Sequence, residues 1–141
     1  MTEKVLLVDD DAMVLAGLKR QLRNQFSIDT ALSGEDALKQ VLENGPYAVI
    51  VSDFMMPGMN GIETLAEIKK KFPLVEVIML SGHSTVESAI EGMKKGAFDY
   101  LMKPCDMDQI TTKVREAVAR KRRHEEKIIQ ARLKEITSRH I

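Results

Sequence analysis

Four short apolar runs punctuate the chain: Val5-Leu6-Leu7-Val8, Tyr47-Ala48-Val49-Ile50-Val51, Val75-Glu76-Val77-Ile78-Met79-Leu80 and Phe98-Asp99-Tyr100-Leu101-Met102. Three of them are nearly continuous rather than alternating, as suits strands covered on both faces. A fifth run, Ser27-Ile28-Asp29-Thr30-Ala31, alternates and predicts a strand near a sheet edge. The stretches between repeat their apolar residues at three to four. They are Met13-Val14-Leu15/Leu18/Leu22, Ala37-Leu38/Val41-Leu42, Ile62/Leu65-Ala66/Ile68, Val86/Ala89-Ile90/Met93 and Ile110/Val114/Ala117-Val118. That spacing predicts five amphipathic helices.

Breakers fall between these blocks. Ser33-Gly34 precedes the second helix and Asn44-Gly45-Pro46 follows it; Pro73 follows the third; Lys95-Gly96 closes the fourth. Asp11 and Ser84 are the predicted N-caps. Five successive β-α units predict an α/β fold, a doubly wound five-stranded parallel sheet with right-handed crossovers. The expected division is a body over residues 1–119 and a helical extension over 120–141.

Composition changes this picture only at the tail. Residues 120–141 hold eight Lys/Arg and three Glu, against 13 basic and 18 acidic groups in the rest of a chain of zero net charge. A mildly acidic body therefore carries a basic tail. Cys105 is the single cysteine, so no internal disulfide forms. With no signal-like start and no span of ~20 apolar residues, the reading is a cytoplasmic protein without membrane contact.

Ligands of open parallel sheets bind beyond the carboxyl ends of the strands. The first strand is followed by Asp9-Asp10-Asp11, the third by Asp53, the fourth by Ser81-Gly82-His83 and the fifth by Lys103-Pro104. Clustered carboxylates repel one another unless a cation joins them. Hard oxygen ligands suit Mg²⁺, which keeps waters and shares phosphate oxygens. An ammonium and a hydroxyl can hold the other oxygens of a phosphoryl group. The candidate nucleophile is then a carboxylate. Asp11 reads as a helix cap rather than a third ligand. His83, His124 and His140 lack the spacing of a transition-metal site.

Four segments in order carry a family resemblance: Val8-Asp9-Asp10, Ser52 through Gly61, Met79-Leu80-Ser81-Gly82-His83 and Gly96 through Pro104. Over about residues 3–119 the chain resembles the response-regulator receiver domains of two-component signalling. The resemblance implies the flavodoxin-like strand order 2-1-3-4-5, extended here by a long last helix. It implies a phosphoacceptor at Asp53, fed by a sensor histidine kinase or histidine phosphotransfer protein. It also implies Mg²⁺ held by Asp10, Asp53 and the carbonyl of Met55, with Asp9 acting largely through water. Lys103 is expected to pair with Asp53 and then with the phosphoryl group, and Ser81 to donate to it. Tyr100 is expected to turn inward, switching a face made by helix four, strand five and helix five. Met55 and His83 take the positions that tune phosphate lifetime, and Lys103-Pro104 is expected to be cis. Two positions depart from the commonest pattern: Ser81 stands where Thr is more frequent, and Cys105 where Phe is common, which predicts looser packing at the start of the last helix.

The rival reading is an aspartyl-nucleophile, metal-dependent phosphatase. Such enzymes want an acid two residues beyond the nucleophile, where Asp53 has Met55. A flavin-binding relative is a further rival, but the loop after strand one lacks a phosphate cradle. From Met107 the helical pattern runs to about Arg139 without Gly or Pro, whereas a receiver's last helix is expected to end near Arg120. Ile129, Leu133 and Ile136 recur at four and three, too few for a coiled coil. A solvated helix is the plain expectation for the tail. A homodimer, through the last helix or the helix4-strand5-helix5 face, is the competing one. Nucleic-acid binding has less behind it, since the basic cluster has no aromatic partners and no motif.

Overall fold

The computed structural model describes residues 3–53, 56, 58–82 and 85–139. Along the chain run β1 (Lys4–Val8), α1 (Ala12–Leu22), β2 (Ser27–Ala31), α2 (Gly34–Asn44), β3 (Val49–Ser52), α3 (Gly61–Lys71), β4 (Glu76–Ser81), α4 (Val86–Lys94), β5 (Asp99–Met102) and α5 (Met107–Arg139). The five strands are parallel in the order β2-β1-β3-β4-β5. The strand order implied by the resemblance is thus observed, and β2 lies at an edge as its alternation predicts.

Alternate residues of each strand feed two separate cores. Val5, Leu7, Val49, Val51, Ile78 and Leu80 face Leu15 and Leu22 of α1 and Ile110, Val114 and Ala117 of α5. Leu6, Val8, Ile50, Val77 and Met79 face Ala37 and Val41 of α2 and Leu65 and Ile68 of α3. This two-sided burial is why the runs read as continuous.

Local chemistry sets the helix starts. Asp11 caps α1, accepting the N–H groups of Met13 and Val14, and Ser33 caps α2. Asn60 and Glu63 form a reciprocal capping box on α3. Gly34, expected before α2, is its first residue. On α4 the cap is Thr85, boxed with Ser88. The predicted cap, Ser84, lies outside the described residues. Gly96 ends the fourth unit with φ +106°, a left-handed conformation suited to glycine.

The amino end of the sheet holds a buried charge. Glu76, 2% exposed, lies 3.6 Å from the Lys69 ammonium and 2.9 Å from Arg120 Nε. The Arg120 contact is an ion pair out of line for a hydrogen bond, since Oε2 has no hydrogen-bond partner among the described residues. Arg120 also lies over the Phe98 ring, 5.4 Å from its centre.

Arg120 marks no helix end. α5 is one helix of 33 residues, about 50 Å long, continuing well past the expected stop. Its buried residues end at Val118, and Ile129, Leu133 and Ile136 are each at least half exposed. Cys105 packs partly buried against the first core and donates from Sγ to Gln109 Oε1. No described helix is long and apolar enough to cross a membrane.

Candidate functional site

The sheet's hydrogen-bond ladder carries on past the strands and places the site residues. The Asp9 N–H donates to the Ala31 carbonyl, the Asp53 N–H to the Val8 carbonyl and the Lys103 N–H to the Ser81 carbonyl. Three segments far apart in sequence thereby converge beyond the carboxyl end of the sheet. Asp9 is 4% exposed, Asp53 9%, and Asp10 faces solvent. One carboxylate oxygen from each of Asp9, Asp10 and Asp53 falls within 4.8 Å of the others. With Asp11, Val14, Gly82 and Lys103 they line a cleft of about 270 Å³.

Both oxygens of Asp9 are engaged. Oδ1 accepts the Asp11 N–H at 2.9 Å, and Oδ2 accepts from Lys103 Nζ at 2.9 Å. Lys103 forms an ion pair with Asp9, and Asp53, its expected partner, acts on the ammonium through its field. Burial opposes the Lys103 charge. The Asp9 hydrogen bond and the fields of Asp53, Asp9 and Asp10 outweigh it and hold its pKa above the ordinary lysine value. The Lys103–Pro104 peptide is cis, as the resemblance implies.

Ser81, fully buried, ends β4, the strand next to β5. Half-buried Tyr100 packs beside the second core, its hydroxyl 3.3 Å from Ser88 Oγ in the first turn of α4. Ser88 was not singled out in the sequence, although its spacing from Thr85 is that of a capping pair. Met55 and His83, the two lifetime-tuning positions, lie outside the described residues, so the carbonyl assigned to Met55 has no geometry to report.

The donor set fits a hard divalent cation. Three carboxylates meet one ammonium, two of the carboxylates are nearly dry, and all offer oxygen. A groove of about 450 Å³ between the turn after α1 and α5 is larger, but its Arg115, Gln25, Glu3 and Arg122 are engaged with one another. Chemistry, not size, singles out the acidic cleft.

The family model for the response regulator receiver domain matches residues 5–115. The chain is 39% identical over 119 residues to the transcriptional regulatory protein ZraR of Salmonella typhimurium, covering 84% of this chain and 27% of that protein. It is 36% identical over 119 residues to the transcriptional regulatory protein PrrA of Mycobacterium bovis, covering 84% and 51%. The chain thus spans about a quarter to a half of the length of these relatives. A receiver-domain crystal structure from Clostridium thermocellum superposes with a TM-score of 0.81 at 35% identity, over 85% of this chain and 97% of that one. These likenesses leave the phosphatase reading without support. Sheet order, acidic cleft and family match converge on one conclusion: the chain belongs to the response regulator receiver domain family, signalling modules of two-component systems that interact with histidine kinases and bind Mg²⁺ in an acidic pocket.

Proposed function

We propose that Asp53 is the phosphoacceptor of a phosphorylation switch. The observation that carries this reading is the convergence of Asp9, Asp10 and Asp53 with Lys103 beyond the carboxyl ends of the strands. A carboxylate oxygen of Asp53 attacks the donor phosphorus, the bond from phosphorus to the donor's imidazole nitrogen breaks, and an aspartyl phosphate forms. Asp10, Asp53 and the Met55 carbonyl would hold Mg²⁺, with Asp9 through water, and the ion supplies positive charge to the phosphoryl oxygens. Lys103 moves from its Asp9 partner to a phosphoryl oxygen, and the Ser81 hydroxyl donates to another. Tyr100 then turns inward, away from Ser88.

The output of that movement is the face of α4, β5 and α5, where Val86, Ile90, Met93 and Met102 expose apolar surface. A second copy of the chain, or an effector segment, pairs there or along the tail. The donor is a sensor histidine kinase or a histidine phosphotransfer protein, and the setting is cytoplasmic. The chain catalyses only its own phosphorylation and the hydrolysis of the aspartyl phosphate, with Met55 and His83 setting the lifetime.

Intact mass after incubation with acetyl phosphate tests this. Wild type should gain one phosphoryl group only with Mg²⁺, releasing acetate, and Asp53→Asn should gain none. Equal labelling of the variant would move the acceptor elsewhere.

A further inference from the structure

Gly58 and Met59, a few residues beyond Asp53, are gripped from α2, a helix remote in sequence. Glu35 sits in the first turn of α2, and its Oε1 accepts the Met59 N–H at 2.9 Å across 24 residues of sequence. Gly58, at φ +76°, lies so close that a Cβ there would stand 3.0 Å from Glu35 Oε1. One residue earlier on α2, a Cβ at Gly34 would come within 2.9 Å of the Met59 carbonyl and 2.2 Å of Thr64 Oγ1. Two glycines therefore let α2 press against the segment, and one carboxylate bonds its backbone. Hydrogen bonds from its own N–H and that of Met59 hold the Glu35 carboxyl below the usual glutamate value. Glu35 is exposed, so its carboxylate is not needed to fill the core.

We propose that Glu35 is a positioning residue for the phosphoryl site, acting through the backbone of Met59. The chain is fixed at Asp53 by the Val8 carbonyl and at Met59 by Glu35. Both anchors act on the chain that carries Asp53, whose carboxylate has to meet a divalent ion and then take a phosphoryl group. Losing the second anchor leaves the fold in place but loosens the hold on the Asp53 carboxylate. This inference rests on the phosphoacceptor reading of Asp53.

The test uses the full chain with Asp53 intact. Mg²⁺ affinity is measured by calorimetry without any phosphodonor, and phosphorylation by acetyl phosphate is followed at saturating and sub-saturating donor. Glu35→Ala should weaken Mg²⁺ binding about fivefold to tenfold and slow phosphorylation at saturating donor by a like factor. Glu35→Gln, whose amide oxygen can still accept the Met59 N–H, should stay within about twofold of wild type. Gly58→Ala, which crowds the same contact from the other side, should mimic Glu35→Ala. A Glu35→Ala protein that binds Mg²⁺ and phosphorylates like an active wild type overturns the inference alone. Equal losses in the Ala and Gln variants overturn it too, because charge and not the hydrogen bond would then be at work. A wild type that neither binds Mg²⁺ nor takes a phosphoryl group overturns the reading beneath it.

Discussion

The two ends of the sheet each bury a carboxylate, with opposite balances of charge. At the carboxyl end, Asp9, Asp10 and Asp53 share one ammonium, Lys103. At the amino end, Glu76 alone faces two cations, Lys69 and Arg120. The lysines register the difference. Lys103 is held above the ordinary value because its acidic neighbours outweigh burial. Lys69 is pushed below it, because burial, aided by Arg120, outweighs the single Glu76. A surplus of negative charge is a standing demand for a cation, and that demand is what a signalling site can use. A surplus of positive charge around one buried acid satisfies it and locks helices to the sheet.

The largest expected effect comes from emptying the amino end. Glu76→Ala leaves two cations facing a buried space and should cost about 3 kcal/mol, roughly a 6–12 °C fall in Tm, read by urea and thermal unfolding. Replacing all three groups by Met and Leu should recover most of that loss. If the single variant melts like wild type, the lock is not one.

A smaller effect of opposite sign is expected at the other end. Asp53→Asn relieves carboxylate repulsion and should raise stability by about 1 kcal/mol without divalent ions. The same change should largely abolish the stabilisation that Mg²⁺ gives wild type. Unfolding curves with and without Mg²⁺ decide it, and a less stable variant would mean that the carboxylates do not strain one another.

Alkaline titration sharpens the contrast with the smallest signal. Lys103, with its folded pKa above its unfolded value, adds stability that is complete below the lysine range and fades as pH rises through the folded pKa. Lys69, with its folded pKa lowered, contributes a rising term, because the unfolded chain then binds the extra proton. Between about pH 9 and 12, stability should fall less steeply in Lys103→Met than in wild type, and more steeply in Lys69→Met. Parallel slopes would remove the distinction between the two ends.

The strands and the strand-end acids were legible because burial on both faces and strand-end chemistry leave marks within a few residues, whereas the sheet order came from the family resemblance alone. What the sequence did not disclose depends on contacts made at a distance. The Lys103–Asp9 pair joins residues 94 apart in sequence, and only the fold brings them together. Glu76 stood in plain view as a charge inside an apolar run, but its partners come from α3 and α5. Glu35 meets Met59 only because α2 and α3 pack side by side. Thr85 takes the cap that its neighbour Ser84 was expected to supply, a choice made by one hydrogen-bond register.

α5 has a mechanical consequence. Nineteen residues separate Arg120, clamped at its root by Glu76, from Arg139, a reach of about 28 Å at the helical rise. A tilt of roughly 10° at the root carries the tip through ~5 Å over that reach. Helix and clamp together form a pointer that magnifies small rotations of the body into displacements wider than a side chain.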